Sequence, residues 1–314
     1  MISIANITHK KAATLFYKTI KDEVVNRIED KKAIINIASV NGKTLSSYLN
    51  NNIKNLLIGN LRSTFNTHEK ILKDTFDKYY YVKDKKSSDF KKGIDHILFY
   101  EDHGRWKAYE IIKMLDIHCC PYCNRTYITT LGDDTNKFAR ADFDHFLAKS
   151  THPYLRFNFY NLIPSCVICN RNAKWKNETK LDENIYPYEE GFDNDAKFTF
   201  IPSSYDALKK GFGSKIQIIP KDPNSIKGKK IQNNIELFRL NQQYSIHHRE
   251  LHSILQKKEK HPTSYVCEII KAFPNLFKNE KEVYEYIFGK PFKENEFLQF
   301  PLAKFFKDIH EEIR

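Results

Sequence analysis

The ten residues His118 to Tyr127 read HCCPYCNRTY, and their reading decides the fold of the chain around them. Three cysteines fall within five residues, and Cys120 and Cys123 have the two-residue gap of a metal knuckle. Cys166 lies 43 residues beyond Cys123, and NLIPSCVICN repeats the same gap at Cys166 and Cys169. Each C-x-x-C turn places two thiolates side by side, and two such turns facing each other close a tetrahedral four-thiolate site. Zinc suits that site, having no geometric preference of its own and a good match to thiolate. The alternative is a thioredoxin-like redox pair, which is normally single and opens a helix after a strand. The interval exceeds the roughly 15–20 residues of a simple ribbon, so the intervening chain should form a substructure of its own. Cys119 and Cys267 read as small apolar core residues.

Between the knuckles the texture is of short strands and turns. RTYITTLGDDTNKFARADFDHF suggests a hairpin: a Thr/Tyr/Ile strand, a turn at Gly132-Asp133-Asp134 and a return strand. The return ends in DFDHFLAKS, which sets Asp144 beside His145. An imidazole is largely neutral at cellular pH and can take a proton from water. A carboxylate is a hard ligand suited to Mg2+ or Mn2+. Adjacent side chains on an extended strand point to opposite faces. Asp144 and His145 can therefore meet one phosphate only where the strand turns out, with Phe143 and Phe146 anchoring the turn. Asp142, two residues earlier, is a spare ligand.

This ordered combination, CxxC, Asp-His, Asn-Leu and CxxC-Asn from about Cys120 to Lys174, resembles the zinc-bearing branch of the HNH endonucleases, the ββα-metal nucleases. The resemblance implies an α+β fold in which a small ββα-metal core is stapled by zinc and flanked by helices. It makes His145 the general base and Asp144 and Asn170 the ligands of a catalytic Mg2+ or Mn2+. Asn161 holds the loop that bears the histidine, and Cys120, Cys123, Cys166 and Cys169 hold zinc. Water attack in that manner leaves 5′-phosphate and 3′-hydroxyl ends. Two departures stand out. DHFLAKS has Ala148 where many relatives have proline, though Lys149 and Ser150 remain for phosphate. The basic residue after the last knuckle is displaced, so Arg171, Lys174 and Lys176 compete for that contact.

Outward from this core, residues 1–117 read as helical: KKAATLFYKTIKDEVVNRI and THEKILKDTFDKYYYVKD carry apolar residues at three- and four-residue intervals. KKSSDFKKG, Lys85 to Gly93, reads as the exposed loop of that half, and GRWKAYEIIKMLDI as a helix running into the cysteines. In residues 181–314, IYPYEEGFDNDAKFTFIP and SKIQIIPKD look like strand pieces, and helical periodicity resumes at IQNNIELFRLNQQYSIHHRELHSILQKKEK. The core, residues 118–180, should be packed between these flanks rather than form an independent domain.

Lys and Arg outnumber Asp and Glu by 51 to 39 in 314 residues, a net charge of +12. Such a surplus favours an anionic partner, nucleic acid first, although a sequence rich in Lys, Asn and Ile also follows from AT-rich coding. From Asp206 to His261 there are 12 basic against 5 acidic residues, a candidate phosphate-tracking strip or simply a solvated face. Tyr186, Tyr188 and Trp175 are candidates to stack on bases. The N-terminal residues lack the apolar region of a signal peptide, and no window approaches ~18 consecutive apolar residues. With unpaired-looking cysteines, a cytoplasmic protein without a membrane span is expected.

Zinc-bearing HNH proteins with long helical flanks are similar to the nuclease subunits of anti-phage systems such as Septu. That resemblance implies DNA as substrate and an ABC/SMC-type ATPase as partner, docked on the helices from Ile7 to Ile117. The chain carries no GxxxxGK[ST] loop, so nucleotide control would be supplied by that partner. Two other readings use the same knuckles and charge: a zinc-stabilised nucleic-acid-binding module without catalysis, and an assembly subunit whose nuclease is silent alone.

Overall fold

In the computed structural model, residues 1–4, 9–101, 106–175 and 177–313 are described. The first helix, α1 (His9–Ile35), carries Phe16, Ile20, Val24 and Ile28 at every fourth position, one buried stripe along its length. The Asn41-Gly42 pair then enters the left-handed region at φ 50° and 74° and turns the short strand β1 (Ser39–Val40) back onto β2 (Lys43–Thr44). Three helices follow: α2 (Leu45–Ile58), α3 (Leu61–Tyr79) and α4 (Lys85–Ile97). Thr44, Asn60 and Asp84 cap them by accepting from Ser47, Ser63 and Ser87 backbone N–H groups.

Helix α4 corrects the expected loop at Lys85 to Gly93. Asp84 starts a helix, and Phe90, Ile94 and Ile97, four and three residues apart, are buried. Lys85, Lys86, Ser88, Asp89, Lys91 and Lys92 occupy its wet face. Gly93 lies against α1, where an added Cβ would meet Ile35 Cγ2 at 3.2 Å. The fifth helix, α5 (Ala108–Leu115), ends at Asp116 (φ 51°), where the chain enters the cysteine stretch.

The expected hairpin is present but short. Strand β3 (Leu131–Gly132) pairs with β4 (Lys137–Ala139), and the turn is built on Asp133, whose Oδ1 accepts from Thr135 N at 2.8 Å and Asn136 N at 2.6 Å. The Thr/Tyr/Ile run before it does not lengthen the strand. It closes the first knuckle instead, with Ile128 N donating to His118 O at 2.8 Å and Cys120 N to Thr126 O at 3.0 Å. Strand β5 (Asp142–His145) pairs antiparallel with β6 (Leu162–Ser165), setting Asp144 opposite Ile163 and His145 opposite Leu162. A wide π-type helical turn, Ile168–Lys174, follows.

Beyond it, β7 (Ala196–Ile201) and β8 (Lys215–Pro220) pair over six residues around the short helix α6 (Tyr205–Lys210). The single helical run expected next is three helices: α7 (Ile226–Leu237), α8 (Leu240–Tyr244) and α9 (His248–Lys260), the first break falling at Arg239 with φ 49°. The last three are α10 (Thr263–Ala272), α11 (Glu280–Phe288) and α12 (Ala303–Glu312). Helix α12 lies on β7, where Asp308 accepts from Phe198 N at 3.0 Å and from its buried partner Lys304.

Among the described residues all sheets are two-stranded, and the fold is mixed helix and small sheets, an α+β arrangement. One continuous buried apolar cluster runs through the N-terminal, central and C-terminal parts. Phe16 of α1 meets Phe157 edge-on at 5.2 Å, Trp106 meets Phe143 at 5.1 Å, and Tyr122 of the knuckle stacks on Phe238 at 4.3 Å. The helical flanks therefore close over the centre from both sides. No helix among the described residues is long and apolar enough to cross a membrane.

Candidate metal centre and active site

The two knuckles converge. Cys120, Cys123, Cys166 and Cys169 are all buried, and their sulfurs lie within 4.8 Å of one another. Cys123 and Cys166 sulfurs are 4.0 Å apart, too far for the roughly 2.05 Å of a disulfide. A tetrahedral zinc with bonds of about 2.3 Å would hold its sulfurs about 3.8 Å apart. Arg125 N and Cys169 N each point at a knuckle sulfur at 3.4 Å, contacts that favour thiolate. Hydrogen bonds from the other thiols, Cys120 first, pull the Cys123 thiol below its ordinary range, while burial pushes Cys120 up. The donor set fits a metal such as zinc, and among the described residues it is the one such group of His, Cys, Asp or Glu. Cys119 stays outside it, its thiol pushed up to about 12 by burial.

The first cysteine knuckle reaches directly to the carboxylate on β5. Tyr122, inside the first knuckle, donates from its hydroxyl to Asp144 Oδ2 at 2.6 Å. Lys174, at the end of the wide turn that opens with the second knuckle, donates to Asp144 Oδ1 at 3.0 Å and Oδ2 at 2.8 Å. Its ammonium also donates to the His145 carbonyl and to Phe146 O at 3.0 Å. Burial pulls the Lys174 pKa down against the pull of Asp144 the other way. This corrects the expectation that Lys174 contacts phosphate: both side chains of the pair are 5% exposed, and the ammonium is spent on holding β5 and the chain after it. The sequence does not announce this use of Lys174; for Tyr122, the available signal is a tyrosine inside a CxxC turn.

His145 lies at the end of β5, half-buried, with the Tyr100 ring edge-on at 4.4 Å. Its Nε2 is 2.9 Å from the Arg156 carbonyl. A carbonyl only accepts, so Nε2 carries the proton and Nδ1 the lone pair. Burial pushes its pKa down to about 3, which keeps the ring neutral. The loop after it is clamped by Asn161, fully buried, which accepts from Leu147 N at 2.7 Å and donates to Leu147 O at 2.9 Å and Leu155 O at 3.1 Å. Asn158, unremarked in the sequence, caps the same turn and ties it to α2 through Leu56 O at 3.0 Å.

Two openings meet at His145. One, about 400 Å³, is lined by Asp144, His145, Lys149, Asn170, Lys174 and Trp175 among others. The other, about 360 Å³, is lined by Tyr100, Arg140, Asp142, His145, Asn170 and Arg171 among others. Arg171 holds Asp142 by two bonds of 2.7 and 2.8 Å, Asn170 Nδ2 lies 3.3 Å from the same carboxylate, and Lys149 pairs with Glu101 at 2.5 Å. Asp144, His145 and Asn170 thus share one opening, but the Asp144 carboxylate is already neutralised by Lys174. As arranged, Asp144 and Asn170 do not fit a divalent cation, which would have to displace that ammonium.

Comparison with known protein families, curated proteins and solved structures returns no match. The site's own chemistry is what bears on function.

The remaining candidates divide. Tyr186 and Tyr188 are buried, donating to Tyr160 O at 2.6 Å and Leu162 O at 3.3 Å, so they do not stack on a ligand. The basic strip is interrupted: Lys227 pairs with Asp193 and Asp195, Lys230 with Glu190, and Lys257 bonds Ile287 O. Lys176 lies outside the described residues, as do Ile7, Thr8 and residues 102–105 of the expected docking surface.

Proposed function

We propose that the chain is an HNH-type endonuclease that hydrolyses DNA phosphodiester bonds with His145 as general base. The observation that carries this reading is the Arg156 carbonyl on His145 Nε2, which assigns the lone pair to Nδ1 of a residue that lines an opening with Lys149 and Asn170. Water held there gives a proton to Nδ1 as its oxygen attacks phosphorus. The P–O3′ bond breaks, the new oxygen stays on the 5′-phosphate, and the 3′-oxygen leaves and takes a proton from solvent. The negative phosphodiester beside the ring raises its proton affinity from the low value that burial sets. Lys149 and Arg171, each exposed enough to leave its present carboxylate, meet the charge that builds on the phosphate oxygens. Asn161 keeps the loop in place, and the four-cysteine zinc joins the two ends of the core.

The Mg2+ or Mn2+ that the resemblance implies enters the proposal as a requirement to be measured, and no step is routed through it. Membership of an anti-phage system with a separate ABC/SMC-type ATPase, and a cytoplasmic setting, belong to the same proposal and rest on the resemblance alone. The second reading, a zinc-stabilised nucleic-acid-binding or assembly subunit, is favoured by one observation: Asp144 is committed to Lys174. Cleavage of plasmid and of single-stranded DNA by the zinc-loaded chain in Mg2+ or Mn2+ separates them. Cleavage lost in His145→Ala at unchanged zinc content supports the nuclease; equal cleavage by that variant overturns it.

A further inference from the structure

The opening also holds residues that the proposed hydrolysis does not use: Ser150, Asn177, Glu178 and Trp175. Of the chain's two tryptophans, Trp106 is fully buried and Trp175 is 71% exposed. Phe138, Tyr205 and Tyr286 also leave their rings in water although burial would be favourable, and what sets Trp175 apart is its place at this opening. Its root is nevertheless fixed. Trp175 follows Lys174, whose buried ammonium is bonded to Asp144 and to the backbone of His145 and Phe146. Its own N–H closes the wide turn on Asn170 O at 3.3 Å. Its backbone sits at φ 34°, ψ −107°, a conformation that side-chain-bearing residues rarely adopt and that marks a position held by its surroundings. Trp175 lines the same opening as His145, Lys149, Ser150, Asn170 and the acidic Glu178.

An anchored, solvent-facing indole next to a phosphate position has the chemistry of a base-stacking platform. In an intact duplex both faces of every internal base are already stacked, so a protein ring finds a free face only on an unpaired base. We infer that Trp175 stacks on an unpaired base beside the scissile phosphate, and that the site takes single-stranded or locally opened DNA rather than intact duplex. This rests on the nuclease reading for the phosphate and on the ring's exposure and anchoring for the base.

The test is a fluorescence titration of the His145→Ala chain with a 12-nucleotide single strand and its duplex. Trp106 supplies the buried, unchanging background. The single strand is expected to quench the exposed emission and to bind at least about tenfold more tightly than the duplex. Trp175→Ala should lose at least about fivefold in single-strand affinity, the low end of one base–aromatic stack, while Trp175→Phe stays within about twofold of the parent. Thermal unfolding of both variants should match the parent, because the ring is not part of the core. Unchanged single-strand affinity in Trp175→Ala, or equal affinity for duplex, overturns the inference. Cleavage assays in the His145-containing chain keep the two claims apart. Cleavage that is insensitive to Trp175→Ala sinks the stacking role alone; no cleavage of either DNA form, with stacking intact, sinks the nuclease alone.

Discussion

The Tyr122 hydroxyl donates to Asp144 Oδ2 at 2.6 Å, joining the first cysteine knuckle to the strand that carries His145. The knuckle is therefore more than a distant staple: one of the two residues between its cysteines positions a carboxylate of the candidate site. Tyr122→Phe keeps the stack on Phe238 and removes only the hydroxyl. A hydrogen bond to a buried charge is worth about 2 kcal/mol, so urea unfolding should show a loss of that order with zinc content unchanged. Stability equal to the parent's would mean that Asp144 does not need this donor.

Much of this arrangement is legible in the sequence where the signal is local. Paired CxxC gaps, the Asp-His step and the four-residue spacing in α1 are short-range patterns, and the four cysteines do converge. The partners of Asp144 are not legible, because Tyr122 and Lys174 lie 22 and 30 residues away and meet it only after β5, the knuckle and the wide turn are in place. Lys174 looks like a phosphate ligand because a lysine after a knuckle is exposed by default. The wide turn swings it inward. Helix α4 escapes a reading by periodicity because Lys and Ser outnumber its apolar residues, while its cap and buried face need only Asp84, Phe90, Ile94 and Ile97.

The Asp144–Lys174 pair should behave as a coupled unit. Lys174→Met strands a buried carboxylate and should cost about 3–5 kcal/mol, as should removal of the carboxylate beneath the lysine. The double variant Asp144→Asn/Lys174→Met removes both charges and should recover a large part of that loss. Urea midpoints of the two single variants and the double variant give the coupling directly. Additive losses would show that the pair contributes nothing as a pair.

Zinc content is the simplest measurement on the four-cysteine centre. The purified chain should contain one zinc, and Cys169→Ser should lose it. Because the knuckles join β5, β6 and the wide turn, removing the metal with a strong chelator should raise amide exchange across residues 118–180 before α1 or α12 opens. Full zinc occupancy in Cys169→Ser, or exchange that rises uniformly along the chain, would contradict this.

Asn161 satisfies both polar groups of Leu147 from one buried side chain. Asn161→Ala leaves them unpaired, each at about 1–3 kcal/mol, and should destabilise the chain by about 2 kcal/mol or more. Asn161→Asp keeps the acceptor for Leu147 N but loses both donations, to Leu147 O and Leu155 O, and buries a new charge. If the loop it clamps positions His145, cleavage measured well below the melting temperature should fall more in either variant than the folded fraction does. Activity that simply tracks the folded fraction would leave Asn161 a purely structural residue.

The pH dependence of stability should contain a term from His68 on α3. The ring is buried, bonded through Nδ1 to Tyr48 Oη at 2.7 Å, and its pKa is lowered by burial. A depressed histidine pKa means that the unfolded chain binds the proton more readily. Stability is thus complete above the unfolded value near 6.5 and declines as pH falls from there toward the lower folded value. The slope contributed by one such group cannot exceed about 1.4 kcal/mol per pH unit. Melting curves between pH 7.5 and 5 should therefore flatten in His68→Gln relative to the parent, whatever the variant's stability at pH 7.5. Parallel curves would place the ring's proton affinity at its ordinary value and remove burial as a force on it.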